Sequence, residues 1–325
     1  MKKILVIRFS SIGDIVLTTP VLRCLKDQLD CEIHFITKKA NAIVLEANPH
    51  ISKVITIEKE IDEVTKNLKA EKYDFVVDLH HNLRSLRLRR ALKRPSAAFP
   101  KLNRQKLLYT KFKRRNIMPD IHVVERYFTA TNSLGVLNDH KGLEYYIPEG
   151  CEIALHEHKI KNDFIAFAIG AQFATKRLPV DKMIELVKKS KQQMVLLGGP
   201  TDKDEADQIA KACPDVINLV GELSWHETAS VIKQSSKVIT HDTGMMHIAA
   251  AFQKPIAAIW GNTTPQLGMY PYMPANPDLF ENHQVELSCR PCSKIGYQKC
   301  PKKHFNCMNE QNLDAILSPL KDPTK

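Results

Sequence analysis

The chain has 325 residues, of which 43% are apolar and 26% charged, and a formal net charge of +11. That length suits two ordinary domains, the composition is that of a soluble globular protein, and no apolar run approaches a membrane span. The positive charge is concentrated, because residues 79–119 hold thirteen Lys and Arg and no Asp or Glu, which leaves the rest of the chain at −2. Such a stretch is either a solvated helix face or a site for an anionic partner: nucleic acid, an anionic membrane face, or a phosphorylated or carboxylated substrate. Aromatic side chains for base stacking are sparse there (Phe99, Tyr109, Phe112), so nucleic acid is the weakest of the three and no specific nucleic-acid partner is expected.

In chain order, the N-terminus could pass for a secretion signal, but Arg8 and Asp14 interrupt it and no small-residue cleavage site follows. It reads as a first strand, residues 3–9, of a cytoplasmic protein. The turn at residues 10–14 leads into a helix through about Leu29. Strands are predicted at 32–37, 54–57 and 75–79, with helical segments between them, before the helical and loop-like basic stretch. Residues 146–163 read as a linker. The pattern then restarts with strands at 164–169, 193–197, 216–220, 237–240 and 255–260, and helices at 181–190, from about 203 to Ala212, at 225–234 and from Gly244. Alternating βα units predict two successive Rossmann-like halves, each a parallel sheet with helices on both faces. The halves are residues 1–155 and 156–325, the second ending in a Pro-rich segment, a cysteine segment at 289–307 and a terminal helix beginning near Asn309. Neither half carries Gly-x-Gly-x-x-Gly after its first strand, and no Gly-x4-Gly-Lys-Ser/Thr occurs, which argues against a dehydrogenase and a P-loop enzyme.

Cys24, Cys31, Cys151 and Cys213 are scattered and read as ordinary small core residues. Cys289, Cys292, Cys300 and Cys307 cluster in sequence and could hold a structural zinc as thiolates, form a redox-sensitive or disulfide pair, or stay reduced and packed.

Ligands of doubly wound sheets bind at the carboxyl ends of the strands, so the residues after each strand are the candidates. After the first strand come Ser11, Gly13 and Asp14; the carboxylate either takes a proton from an acceptor hydroxyl or complements the helix dipole. After the strand at 75–79, Asn82, Arg84 and Arg87 could orient an anionic acceptor. The second half offers Gly170 and Gln172, then Thr175 and Lys176, the lysine placed to neutralise a diphosphate leaving group or simply to lie on the surface. Gly199 and Asp202 follow its second strand; Asp202 could accept from ribose hydroxyls or cap a helix. The most informative turn is Asp242-Thr243-Gly244 with His247, where free backbone N–H groups at a helix start would bind phosphate, followed by Gly261-x-Thr263-x-Pro265 after the next strand.

Together these pieces resemble glycosyltransferase family 9, the lipopolysaccharide heptosyltransferases. The resemblance is carried by Lys-Ile-Leu-Val-Ile-Arg…Ser-Ile-Gly-Asp at the N-terminus, Asp78-Leu79-x-x-Asn82-x-Arg84-Ser85, Thr175-Lys176-Arg177-Leu178-Pro179, Gly198-Gly199-Pro200 and Asp242-Thr243-Gly244-x-x-His247-x-Ala249-Ala250. It implies an α/β GT-B fold, two Rossmann-like domains facing a central cleft. It implies Asp14 as catalytic base, Lys176 on the donor diphosphate, and Asp242, Thr243 and Gly244 on donor phosphate and sugar. It further implies an inverting transfer of heptose from ADP-heptose to a lipid-anchored inner core, with no metal needed for chemistry. The chain departs from the family where Gly170, Ala171 and Gln172 replace the usual polar pair. The basic stretch from Arg84 to Arg115 would hold an anionic, lipid-linked acceptor against the cytoplasmic face of the inner membrane. The competing readings are a GT-B sugar-nucleotide epimerase and a non-catalytic protein that binds anionic ligands or surfaces.

Overall fold

Apolar runs bounded by short polar turns set the strands, and the computed structural model, which describes residues 1–320, places them in two all-parallel sheets. Two compact units result: Met1–Lys101 with Ile121–Pro148, and Leu102–Asp120 with Glu149–Lys325. Up to residue 148 the elements are β1 (Lys2–Ile7), α1 (Ile12–Val16), α2 (Thr19–Gln28), β2 (Cys31–Lys38), β3 (Lys53–Ile57), α3 (Asp62–Ala70), β4 (Phe75–Asp78), α4 (Leu83–Leu92), β5 (Ser96–Ala98), α5 (Asn103–Phe112) and α6 (Val123–Phe128). Then follow β6 (Phe164–Ala168), α7 (Val180–Lys189), β7 (Gln193–Leu197), α8 (Lys203–Ala212), β8 (Ile217–Asn218), α9 (Trp225–Gln234), β9 (Lys237–His241), α10 (Gly244–Ala251), β10 (Ile256–Trp260), β11 (Phe280–Gln284), α11 (Asn306–Asn309) and α12 (Leu313–Leu317).

The first sheet has the order β3-β2-β1-β4-β5 and the second β11-β10-β9-β6-β7-β8. Central strands such as β1 and β9 are buried along nearly their whole length because helices cover both faces, so they read as continuous apolar runs. The strand order reverses at β1/β4 in one sheet, where Ile7 pairs with Asp78, and at β6/β9 in the other, where Ala168 pairs with Thr240. Those switch points bring the loop after β1 beside the loop after β4, and the loop after β6 beside the loop after β9.

Several expectations are corrected. The helix predicted to run from the first turn to Leu29 is two helices, α1 and α2, because Pro20 lacks an N–H and sits in the first turn of the second. The strand at 216–220 pairs over two residues only. The terminal helix is two short ones, α11 and α12. Residues 102–120, expected with the N-terminal half, pack with the second unit, and its main body begins at Glu149 rather than residue 156. Tyr109 Oη lies 3.0 Å from Thr264 Oγ1, and Lys113 Nζ donates to the carbonyl of Cys289 at 2.8 Å. The basic stretch is therefore divided between the two units.

Lys237, buried on β9, donates to the carbonyls of Ile316 and Ser318 and so pins the end of α12 to the sheet. Burial lowers its ammonium from the ordinary 10.5 to about 8. Between those values the unfolded chain binds more protons than the native one, so this group makes stability rise with pH from about 8 to 10.5 and level off above. Urea unfolding across that window is expected to show a slope approaching about 1.4 kcal/mol per pH unit from this site. Lys237→Met should flatten it; an unchanged slope would contradict the assignment.

Candidate active site

In the second unit, two turns meet at Asp242. The loop after β6 delivers Lys176, whose Nζ lies 2.7 Å from Asp242 Oδ2 and donates to the Asp242 carbonyl at 3.2 Å. The loop after β10 delivers Thr263, whose hydroxyl donates to the same Oδ2 at 2.9 Å. One carboxylate thus fixes the lysine and ties together the Asp-Thr-Gly and Gly-x-Thr-x-Pro turns. Immediately beyond it, Thr243 is the N-cap of α10 in extended conformation, with no capping bond from its side chain. The first-turn N–H groups of that helix have no intrahelical acceptors, and the dipole favours an anion there. A half-buried ammonium and a helix N-terminus are the elements a diphosphate needs. His247 is buried on α10, one turn further in.

His241, the last residue of β9, was not among the expected site residues. Its Nε2 accepts from the backbone N–H of Leu178 at 3.0 Å, which anchors the loop carrying Lys176. Burial first of all lowers its pKa to about 4, so the ring is neutral and keeps the lone pair that this bond uses.

Other expected donor contacts have partners within the fold. Thr175 is 2% exposed; its hydroxyl receives the N–H of Tyr297 at 2.8 Å and lies 3.1 Å from Asn262 Oδ1. It fastens the loop at 293–297 to the core. Asp202 is buried: Oδ2 accepts from Gly199 N–H at 3.0 Å and Oδ1 from Arg177 at 3.2 Å. Burial raises its pKa, against the pull of the Gly199 amide and Arg177. A Cβ on Gly170 would run into the Asp202 carboxylate, so the glycine makes room for that acid. Gly199 supplies an amide to it, and Gln172 is exposed on the loop. Beside Arg177 and Asp202 lies a cavity of about 190 Å³ walled by Ile169, Leu178, Met183 and Phe305. Lys176 and Arg177, adjacent in sequence, have separate partners, and the cavity lies on the Arg177 side.

In the first unit, Asp14 sits in the first turn of α1. Its Oδ2 accepts from the N–H and hydroxyl of Ser11 at 3.1 and 2.7 Å, and its Oδ1 lies 2.6 Å from Arg8 Nη2. The acid thus closes the first turn of α1 and is also a partly exposed carboxylate at a strand end. Gly13 is buried beside it. Arg8 is buried at the end of β1, donates to the carbonyls of Leu79 and Ser10, and lies 5.8 Å from the centroid of the Tyr127 ring. Burial opposes its charge, but Asp14, Tyr127 and Asp78 outweigh that and raise its pKa above the ordinary value. His80 packs edge-on against Phe9 and is held down to about 3, by burial first and then by Arg8 and Lys101. It is therefore a neutral ring.

The expected acceptor residues on α4 have other partners. Asn82 is its N-cap, accepting from Ser85 N–H at 2.8 Å while its own N–H donates to Ser85 Oγ. Arg84 lies 3.8 Å from Glu60 and stacks over Phe9, and Arg87 lies 3.4 Å from Asp62. Exposed pairs of this kind are weak and exchange readily for a stronger anion. The four late cysteines are free thiols, and among the described residues no group of three or more His, Cys, Asp or Glu is arranged to hold a metal ion. Cys292 donates to the Cys289 carbonyl, Cys289 Sγ stands 3.8 Å from His304 Nε2, and burial pushes the Cys307 thiol up to about 12. Cys289 and Cys300 act electrostatically on the Cys292 thiol, and Cys289, Cys292 and Cys300 on that of Cys307, so the four sulfurs named in the zinc expectation share one neighbourhood.

Residues 61–301 match the family model described as glycosyltransferase family 9 (heptosyltransferase). The chain belongs to glycosyltransferase family 9. It is 33% identical over 111 residues to lipooligosaccharide heptosyltransferase 2 of Haemophilus influenzae, a match covering 31% of this chain and 32% of that protein. It is 26% identical over 275 residues to lipopolysaccharide heptosyltransferase 3 of Escherichia coli, covering 77% of this chain and 80% of the relative. The solved Escherichia coli ADP-heptose lps heptosyltransferase II superposes with a TM-score of 0.68 at 21% identity over 98% of both chains, which establishes the shared GT-B fold. Family membership decides for a glycosyltransferase over the epimerase and the non-catalytic binder.

Within this family 9 transferase, Arg8, present in the N-terminal motif but given no role there, lies nearest Asp14. It is expected to position the carboxylate and keep it ionised. Arg8→Met should shift the acid limb of the pH profile of kcat/KM to higher pH, because the interaction that favours charged Arg8 equally favours charged Asp14. A lower kcat with an unshifted profile would indicate a purely structural role.

Proposed function

We propose that this transferase moves heptose from ADP-heptose to the inner core of lipopolysaccharide by direct displacement at the anomeric carbon, with inversion. The observation that carries the donor half is the junction of Lys176, Asp242 and Thr263 at the uncapped start of α10. A leaving diphosphate develops charge there that an ammonium and backbone amides stabilise without reorganisation. Asp14 takes the proton of the attacking acceptor hydroxyl. The acceptor is an anionic, lipid-linked saccharide, met by the Arg and Lys side chains at and after α4 once they exchange their weak surface partners. In this reading the transfer uses no metal, and the enzyme works peripherally at the cytoplasmic face of the inner membrane. The names of the relatives support the sugar and the acceptor class. Among the described residues no helix is long and apolar enough to cross a membrane.

Titration calorimetry with ADP, UDP and GDP tests the donor. Tighter binding of ADP than of the others by about tenfold or more, or about 1.4 kcal/mol, is expected. A preference for UDP or GDP would contradict the ADP-sugar assignment.

A further inference from the structure

The helix α5 (Asn103–Phe112) has an outward face that no element of its own unit accounts for. Its inward side is fixed: Tyr109 and Thr110 are buried, Tyr109 pairs with Thr264, and Lys113 just after the helix donates to the carbonyls of Cys289 and Pro291. At 100° per residue, Arg104, Leu107, Lys111 and Phe112 then lie within an arc of about 140° on the opposite side. Leu107 is 54% exposed and Phe112 59%, among the most exposed large apolar side chains of the molecule. Lys111 Nζ lies 5.9 Å from the Phe112 ring centroid, and Arg114 follows, exposed, at the C-terminal end. No acidic residue occurs between 79 and 119 to offset these charges.

Exposed Leu and Phe on a folded helix are unfavourable in water and favourable at a bilayer boundary. Arg and Lys beside them can lay their aliphatic stems at the same depth while their charged heads meet lipid phosphates. We infer that this face of α5 docks on the surface of an anionic phospholipid bilayer, inserting Leu107 and Phe112 to the depth of the headgroup–acyl boundary. The inference rests on the reading of a lipid-linked acceptor and adds the residues that reach the membrane. It also assigns the contact to a helix of the nucleotide-sugar unit, where the sequence suggested the N-terminal half.

Co-sedimentation with vesicles tests it, using the full chain without donor or acceptor. The wild type is expected to bind phosphatidylcholine–phosphatidylglycerol vesicles and not phosphatidylcholine alone. Leu107→Ser with Phe112→Ser should weaken that binding by about tenfold or more. Arg104→Gln with Lys111→Gln should weaken it comparably and reduce its salt dependence. Unchanged ADP affinity in both variants shows that they are folded. In a separate variant, the Phe112→Trp indole should shift to the blue and be quenched by brominated lipid. Equal vesicle binding by the apolar double variant, or an indole that stays solvent-exposed on vesicles, would overturn insertion. A concentration-dependent dimer abolished by the same double substitution would assign the face to a second copy instead and overturn the inference. Vesicle binding by a chain that ignores ADP would leave the docking intact and remove the proposed function.

Discussion

Asp14→Asn is expected to lower kcat by about 10³-fold or more while leaving ADP affinity unchanged. A positioned general base contributes 10²–10⁴-fold by taking the proton in the transition state, and an amide cannot take it. The substitution is nearly isosteric, and an Asn oxygen can still accept the Ser11 N–H that caps α1. The loss is therefore chemical first. A structural cost also follows, because buried Arg8 loses its charged partner 2.6 Å away. A thermal melt separates the two: a folded variant with normal ADP binding and no turnover is the expected result. Turnover within tenfold of the wild type would remove Asp14 from the mechanism.

Lys176→Ala is expected to lower kcat by about 10²–10³-fold and to weaken ADP binding. Both effects have one source. The ammonium that would face the diphosphate is the one that neutralises Asp242, so its removal leaves an uncompensated carboxylate beside an anion site. The double variant Lys176→Ala with Asp242→Ala should therefore bind ADP more tightly than Lys176→Ala alone, a non-additivity that only coupled residues show. Lys176→Arg should restore little, since a planar guanidinium cannot replace a compact ammonium held at 2.7 and 3.2 Å from two oxygens of one residue. Additive losses in the double variant would mean that the pair is structural.

The sheets were legible because parallel strands buried on both faces leave unbroken apolar runs, as in Ile4–Ile7 and Ile256–Trp260. β11 was not, because Phe280–Gln284 is a polar edge strand whose place depends on Ile256 and its neighbours across a long connection. The crossing of α5 to the second unit depends on contacts such as Tyr109 with Thr264, for which local sequence carries no signal. The placement of Asp14, Lys176 and Asp242 in loops after strands was legible because charged residues at strand ends recur in recognisable turns. Thr175, Asn82 and Gly170 were taken for ligand contacts on the same ground. In the structure Thr175 holds a loop, Asn82 caps a helix and Gly170 makes room for Asp202; the residue types that bind ligands at strand ends are also those that satisfy loop backbones. Arg8 stood in the N-terminal motif, but its pairing with Asp14 was not legible, because a cation closing an apolar strand gives no hint that it folds back on the acid six residues on.

The most direct measurement is transfer itself: purified protein with ADP-heptose and a lipid-linked inner-core saccharide lacking heptose, followed by mass spectrometry. The expected result is a gain of one heptose by the acceptor, release of ADP in equal amount, inverted anomeric configuration, and neither product with Asp14→Asn. Change in ADP-heptose that proceeds equally without acceptor, or transfer supported by UDP- or GDP-sugars and not by ADP-heptose, would contradict it.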